Sequence, residues 1–234
     1  MKPIVIATSR QWNEYLAKEI ATATGRTTHL ITKKQELNTK HLKSLEPEYI
    51  FFPHWSSIIP SEIFKNFECI IFHMADLPFG RGGSPLQNLI LLGLENTKLS
   101  AIRCVQELDA GPVYLKKDLN LNGSANEIYL RASKLTKKMI LEILKNNIVP
   151  VPQKGKPVEF PRRRPEQSNI KKADINSIND IFDFIRMLDA EGYPKAYLEA
   201  HGYTFEFNKV HLENEALKGT FTVYKKNTLP DISS

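Results

Sequence analysis

The residues best suited to chemistry in this sequence lie in the segment 69–88. His73 follows the apolar run Cys69-Ile70-Ile71-Phe72, which is typical of a short buried strand of a parallel sheet. Open α/β sheets bind their ligands at the carboxyl ends of such strands. A loop rich in Gly and Pro comes next, and Ser84-Pro85-Leu86-Gln87 predicts a helix start with Ser84 as its N-cap. The segment therefore predicts an imidazole that faces a loop and a helix N-terminus, as in an active site.

A carboxylate, Asp109, ends the next apolar strand pattern in the run Leu108-Asp109-Ala110-Gly111-Pro112. His73 could donate a hydrogen bond to a developing oxyanion or accept a proton, because histidine changes its charge near neutral pH. Asp109 could orient the imidazole or stabilise its charged form. The alternative is a core histidine before a turn, with an ordinary β-turn at Asp109.

Two motifs resemble those of the folate-dependent formyltransferases. His73-x-x-x-Leu77-Pro78-x-x-Arg81-Gly82 is similar to their H-x-S-L-L-P-x-x-R/K-G segment, and Leu108–Pro112 is similar to their L-D-x-G-P. The family includes glycinamide ribonucleotide, methionyl-tRNA and nucleotide-sugar N-formyltransferases. The resemblance implies that His73 and Asp109 are catalytic and that the donor is N10-formyltetrahydrofolate.

The sequence departs from the family pattern two residues before the histidine, where Ile71 stands in place of a catalytic Asn. An oxyanion donor of that kind is typically worth about 3–4 kcal/mol. His54 is a predicted catalytic replacement, with Asn88 or a backbone N–H as alternatives. A hydrogen-bonded loop histidine is the other interpretation of His54.

The resemblance also implies two sets of binding residues. The folate would contact the loop after the third strand, the motif Leu-Pro and the Asp109 loop, through Trp55, Ser57, Ile58, Leu77, Pro78, Gln106, Glu107 and Asp109. The acceptor would contact Ser9, Arg10, Arg81, Gly82, Gly83 and Arg163. A plain N-cap explains Ser9 equally well, and core packing is the alternative for Trp55.

The elements that position these residues follow an α/β pattern. Pro3–Ala7 predicts a strand that turns into a helix ended by Gly25, as in the opening of a doubly wound unit. Ser124-Ala125-Asn126-Glu127 is a capping box before a long amphipathic helix. We therefore predict a Rossmann-like, mostly parallel sheet in a catalytic domain over 1–150. The composition of Pro150–Pro157 marks a linker at the boundary, and residues 151–234 are predicted to form linker and a small α+β C-terminal subdomain.

Composition limits the remaining possibilities. The net charge of +6 allows a nucleic-acid partner or a phosphorylated small substrate, but the basic residues are mostly dispersed. Cys69 and Cys104 lie in apolar runs and predict reduced core residues of a cytoplasmic protein. We expect no metal site, because neither cysteine has a second ligand at a suitable spacing. No apolar run reaches the length of a membrane span, and no signal peptide is expected.

The variant motif around His73 looks most like the small sugar formyltransferases. The predicted acceptor is therefore a nucleotide-linked amino sugar, preferably a UDP-sugar of a surface-polysaccharide or nonulosonic-acid pathway, with no specific nucleic acid and no membrane as partner. A homodimer is left open. Methionyl-tRNA formylation is the nearest alternative, and glycinamide ribonucleotide formylation and a non-catalytic folate or nucleic-acid binding module are the others.

Overall fold

A computed structural model describes residues 1–226. Its strands are β1 Ile4–Ala7, β2 Thr28–Ile31, β3 Tyr49–Pro53, β4 Cys69–His73, β5 Phe79–Gly82, β6 Asn96–Arg103, β7 Val113–Asn120, β8 Val158–Phe160, β9 Ala196–Ala200, β10 Tyr203–Glu213 and β11 Ala216–Lys225. Its α-helices are α1 Tyr15–Thr24, α2 Thr39–Leu45, α3 Ser61–Phe64, α4 Pro85–Leu91, α5 Ala125–Asn146 and α6 Ile178–Arg186. Among the described residues, no helix combines the length and the apolar character that crossing a membrane requires.

A six-stranded sheet with the order β2-β1-β3-β4-β6-β7 forms the centre of the catalytic region. β1 pairs in parallel with β2 and β3, and β3 pairs in parallel with β4. β4 and β6 are antiparallel, so β4 has one parallel neighbour, β3, and one antiparallel neighbour, β6. The predicted α/β fold with a mostly parallel sheet is confirmed.

The strands form where β-branched and aromatic residues pack on both faces of the sheet. Val5, Ile50 and Ile70, each on a different central strand, are completely buried. Ile71 and Phe72 are only partly buried, although the sequence predicts burial on both faces of β4. The carboxyl end of β4 is therefore less completely covered than its start, where Cys69 and Ile70 are buried.

The chain folds into two compact units that interleave along the sequence. Unit 1 contains residues 1–82, 97–119 and 130–159, and unit 2 contains residues 83–96, 120–129 and 160–234. The predicted division at residue 150 stays a prediction about independent folding. The whole of the predicted linker, Pro150–Pro157, belongs to unit 1, where Val151 forms a bridge with Val113.

The helix starts agree with the sequence at one site and differ at another. Ser124 and Glu127 form the predicted capping box, in which Glu127 Oε2 accepts from the Ser124 N–H at 2.7 Å. Ser84 occupies the N-cap position before Pro85, but its side chain makes no capping bond: it has a left-handed backbone with φ of 48°, and its Oγ accepts from the Arg163 N–H at 3.1 Å. The predicted helix start is therefore confirmed in its position, and the capping bond is missing because the backbone N–H of Arg163 binds the hydroxyl.

Unit 2 carries its own sheet. Strands β9, β10 and β11 are consecutive antiparallel neighbours, as a chain of short connections favours. Ser177 and Asp180 form a capping box at the start of α6. The second unit is thus a small α+β body, as predicted for the C-terminal part of the chain.

Candidate active site

His73 is fixed by a hydrogen bond at one ring nitrogen, and its other ring nitrogen faces Asp109. It ends β4 and is 8% exposed. Its Nε2 lies 2.7 Å from the carbonyl oxygen of Gly80, which can only accept, so Nε2 carries a proton. Its Nδ1 lies 3.5 Å from Oδ2 of Asp109. In the neutral ring, Nδ1 is therefore the nitrogen with the free lone pair, and it faces a carboxylate.

Asp109 is fixed by its backbone and by the loop after β5. It is 8% exposed, its φ is 51°, and its Oδ2 accepts from the Gly82 N–H at 3.0 Å. Two residues later, the chain passes so close to β6 that a Cβ at Gly111 would lie 1.7 Å from the Arg103 carbonyl oxygen. The glycine in this motif is thus needed for a close approach of two backbone segments.

Arg81 and Gln153 extend this arrangement within unit 1. Arg81 Nη1 binds Glu107 Oε1 at 2.7 Å. Gln153 Oε1 accepts from Arg81 Nε and Nη2, at 3.2 and 2.9 Å. Gln153 could not be predicted from the sequence, because a glutamine in a Pro-rich segment carries no signal of a site.

The predicted folate residues fall in different environments. Trp55 packs against Phe52 with ring centroids 6.0 Å apart, and its buried Nε1 has no hydrogen-bond partner among the described residues. Ile58 is 90% exposed, and Leu77 is 1% exposed, so Leu77 is a core residue. Ser57 and Pro78 are partly exposed, and Gln106 is exposed, on the Asp109 loop. Their contact with a folate stays a prediction.

The turn after β1 is bonded to the loop after β3. Ser9 Oγ accepts from the Ser56 N–H at 3.2 Å, and the Ser9 N–H donates to the His54 carbonyl oxygen at 3.4 Å. The Arg10 guanidinium lies 5.5 Å from the Trp12 ring. Ser9 and Arg10 therefore occupy the predicted turn, and their role towards an acceptor stays a prediction.

His54 lies against the same tryptophan. Its ring meets Trp12 edge to face at 5.6 Å, and its backbone φ is 55°. Burial, assisted by the charge of Arg10, lowers the pKa of His54 from 6.5 to about 3. The side chain is therefore neutral near pH 7 and could only donate one N–H, and its catalytic role stays a prediction.

Ile71 occupies the position of the family Asn, between Phe52 on β3 and Ile102 on β6. Asn88, one predicted replacement, belongs to unit 2. Its Nδ2 donates to the carbonyl oxygens of Gly83, Ser84 and Pro161, each at 3.0 Å. These three acceptors use both of its N–H groups, so Asn88 holds backbone in place, and the donor for the oxyanion stays a prediction.

Gly83 and Arg163, two predicted acceptor residues, also belong to unit 2. Gly83 approaches the Arg162 backbone so closely that a Cβ would lie 2.5 Å from its Cα. The Arg163 guanidinium lies 5.8 Å from the Phe184 ring, donates from Nη2 to the Gln167 carbonyl oxygen, and lines a cavity of about 400 Å³ in this unit. Burial lowers the pKa of Arg163. Their predicted contact with the acceptor remains a prediction.

The arrangement in unit 1 suits transfer of an acyl group to an amine. Such a reaction needs a proton acceptor for the attacking amine, charge stabilisation and fixed orientation. His73 Nδ1 can accept the proton, and Asp109 can stabilise the imidazolium that results.

Comparison with known proteins agrees with this chemistry. A family model described as Formyl transferase matches residues 5–144, which is more than half of the chain. The chain belongs to the formyl transferase family. A second model, described as the C-terminal domain of methionyl-tRNA formyltransferase, matches residues 165–224. Membership confirms the predicted family, the enzyme class and, at the level of the family, the donor N10-formyltetrahydrofolate.

Two of the matched relatives share one description. A methionyl-tRNA formyltransferase of Thermodesulfovibrio yellowstonii is 30% identical over 155 residues, which are 63% of this chain and 50% of that protein. The chain spans about half the length of the curated relatives it matches. A solved structure described as methionyl-tRNA formyltransferase from Clostridium thermocellum is 45% identical, with a TM-score of 0.93, over 96% of this chain and 100% of that chain.

The predicted sugar acceptor is wrong. A solved sugar N-formyltransferase from Shewanella is only 16% identical, with a TM-score of 0.67 over 94% of this chain and 96% of that chain, and so shows the fold alone. The 45% identical structure carries the other description. The predictions of a nucleotide-linked amino sugar, of a polysaccharide pathway and of no specific nucleic acid are therefore corrected, and the alternative acceptor is better supported.

Proposed function

We propose that this protein is an N-formyltransferase that moves the formyl group of N10-formyltetrahydrofolate to the amino group of methionine esterified to tRNA. The observation that carries the chemical part is the pair of His73 Nδ1 and Asp109 Oδ2, 3.5 Å apart at the carboxyl end of β4. The acceptor is supported by the 45% identical relative that this chain covers in full.

The reaction exchanges one C–N bond for another. The amine nitrogen bonds to the formyl carbon, and the carbonyl oxygen becomes an oxyanion. His73 Nδ1 takes the proton that the amine loses, while the hydrogen bond from Nε2 to Gly80 keeps the ring in place. The carbonyl then re-forms, the bond to N10 breaks, and the proton passes to N10. Asp109 offsets the positive charge of the imidazolium throughout.

Trp55 fits a folate ligand in one respect that is independent of the motifs. Its Nε1 is a buried donor without a partner among the described residues. Leaving such a donor unpaired costs about 1–3 kcal/mol. A bound pterin carries carbonyl and ring-nitrogen acceptors that could satisfy the indole, and Trp55 would then hold the ring system. When bound, the folate supplies the activated formyl group.

The charge distribution is compatible with a tRNA acceptor. Unit 1 contains 21 lysines and arginines against 13 aspartates and glutamates, and unit 2 contains 11 against 13. The positive excess of the chain therefore lies in unit 1, which also carries His73 and Asp109. A polyanion is attracted to such an excess in proportion to the phosphates neutralised.

The proposal is tested by formylation of methionyl-tRNA with 10-formyltetrahydrofolate, with glycinamide ribonucleotide as the comparison acceptor. Wild-type protein should formylate methionyl-tRNA with the higher kcat/KM. His73→Ala and Asp109→Asn should each lower kcat by at least about 10²-fold, in the range of general acid–base catalysis. Asp76→Asn, at an exposed ion pair with Lys116, is the control.

Two outcomes would contradict the proposal. Efficient formylation of glycinamide ribonucleotide without turnover of methionyl-tRNA would reject the acceptor. Full activity in folded His73→Ala would reject the catalytic role of the pair. Thermal unfolding of each variant establishes that the protein is folded.

A further inference from the structure

Gln153 uses every hydrogen-bonding position of its side-chain amide. Its Nε2 donates to the carbonyl oxygens of Asp109, at 2.7 Å, and of Gly111, at 2.9 Å. Its Oε1 accepts the two bonds from Arg81, at 3.2 and 2.9 Å. An amide has two N–H donors and two acceptor lone pairs, so all four positions are occupied.

The backbone near Gln153 explains how it reaches the Asp109 loop. Val151 forms an antiparallel bridge with Val113 of β7, with N–H···O distances of 2.7 and 2.9 Å in the two directions. Val113 lies two residues beyond Gly111, so the bridge brings Gln153 alongside the loop. Further on, the Val158 N–H donates to the Pro78 carbonyl oxygen at 3.1 Å. This segment is therefore anchored on both sides of the glutamine.

Arg81 is held so that part of its guanidinium stays available. Three of its five N–H groups bind Gln153 and Glu107. The other two have no partner among the described residues. The Arg81 side chain is 13% exposed, whereas that of Glu107 is 74% exposed. An arginine fixed in this way presents a planar fork of donors, which matches the oxygens of a phosphate or carboxylate.

We infer that Gln153 is a positioning residue that joins an anion-binding guanidinium, Arg81, to the loop of the catalytic carboxylate, Asp109. Gln153 donates to the loop and accepts from Arg81, so one side chain fixes both groups relative to His73. The anion bound by Arg81 is a phosphate of the acceptor, and this part rests on the proposed function. A misplacement of about 1 Å at a reacting group can cost about 10²-fold in rate.

Two variants separate the two halves of this role. Gln153→Leu removes both the donors and the acceptor, and should lower kcat by about 10-fold or more and raise the KM for the acceptor. Gln153→Glu keeps an acceptor for Arg81 but loses the donation to Asp109 and Gly111. It should therefore lower kcat while the acceptor KM stays near that of wild type. Gln35→Leu, at an exposed glutamine far along the sequence from these loops, is the matched control.

Amide hydrogen exchange at Gly82 tests the inference without any activity. The Gly82 N–H donates to Asp109 Oδ2, so release of the Asp109 loop should speed its exchange by about 10-fold in both Gln153 variants and not in Gln35→Leu. Wild-type exchange at Gly82 together with wild-type kcat in Gln153→Leu would overturn the inference. Faster Gly82 exchange in the Gln153 variants, together with a wild-type protein that does not formylate methionyl-tRNA, would reject the proposed function and leave the positioning role standing.

Discussion

His54 is a side chain that the fold keeps neutral. It lies against Trp12 with a positive φ, near the charge of Arg10. Because its pKa is lowered to about 3, the unfolded chain binds a proton more readily than the folded protein between about pH 3 and 6.5. The free energy of unfolding therefore decreases as the pH falls below about 6.5, because protonation of His54 favours the unfolded chain.

Replacement of this histidine should remove part of the acid sensitivity. His54→Asn tolerates the positive φ and cannot titrate. Below about pH 6.5, wild-type protein should lose at most about 1.4 kcal/mol per pH unit more than the variant. Urea unfolding at pH 7 and about pH 5 measures this difference. His201→Asn, at an exposed histidine with φ of 52°, is the control. The same pH dependence of the free energy of unfolding in both variants would contradict the prediction.

His73 and Asp109 could be predicted from the sequence because the apolar runs before them identify strand ends, and strand ends of an open sheet meet at one edge. Gln153 could not, since its role depends on a bridge between Val151 and Val113 that joins distant segments. The replacement of the family Asn by Ile71 was visible, but the occupied donors of Asn88 were not.

The loop after β6 can form only because the backbone at Gly111 passes close to the backbone at Arg103. Gly111→Ala places a methyl group against the Arg103 carbonyl oxygen, so the loop must move and Asp109 must move with it. We expect destabilisation of about 1–3 kcal/mol and a loss of formylation of about 10²-fold. Gly25→Ala is the control, since its φ is 67° but no atom lies within 4 Å of the added Cβ. Calorimetric melting and kcat measure both effects, and equal losses in the two variants would count against the loop argument.

The order and type of the elements around the central sheet were predictable, because strands and helices differ in hydrophobic period. Two local predictions were incomplete for a common reason. Ser84 looks like an N-cap and residues 150–157 look like a linker, yet each binds a partner far away in sequence. The composition of a short segment carries no information about partners that are distant in the sequence.

The positive charge of the whole molecule is distributed unevenly between the two units, and this distribution should affect binding of the acceptor. Lys134 and Lys138 are exposed on α5 in unit 1, and Lys172 and Lys209 lie in unit 2. The KM for methionyl-tRNA should rise steeply with salt, because binding releases counterions from the phosphates. Lys134→Glu/Lys138→Glu should raise this KM more than Lys172→Glu/Lys209→Glu, since a polyanion binds where the positive potential is highest. Steady-state kinetics at two salt concentrations provides the test, and equal effects of the two pairs would contradict it.

The predicted acceptor was wrong because the motif around His73 serves the transfer step, which is common to the family. The choice of acceptor depends on surfaces, and net charge and dispersed lysines do not define a surface in the sequence. The unequal charge of the two units became visible only when the fold had assigned each residue to its unit.

The interleaving of the two units has a consequence for biosynthesis. The chain passes between the units at five points, the last between Glu159 and Phe160. During translation, residues 83–96 and 120–129 leave the ribosome well before the segment from Phe160 onward, with which they share a unit. Unit 1 can fold once Glu159 has emerged. The two earlier segments, 83–96 and 120–129, remain without their packing partners until the segment from Phe160 onward has also emerged. A nascent chain that is stalled when Glu159 has just emerged would therefore have its catalytic pair assembled while a second body is still without most of its residues.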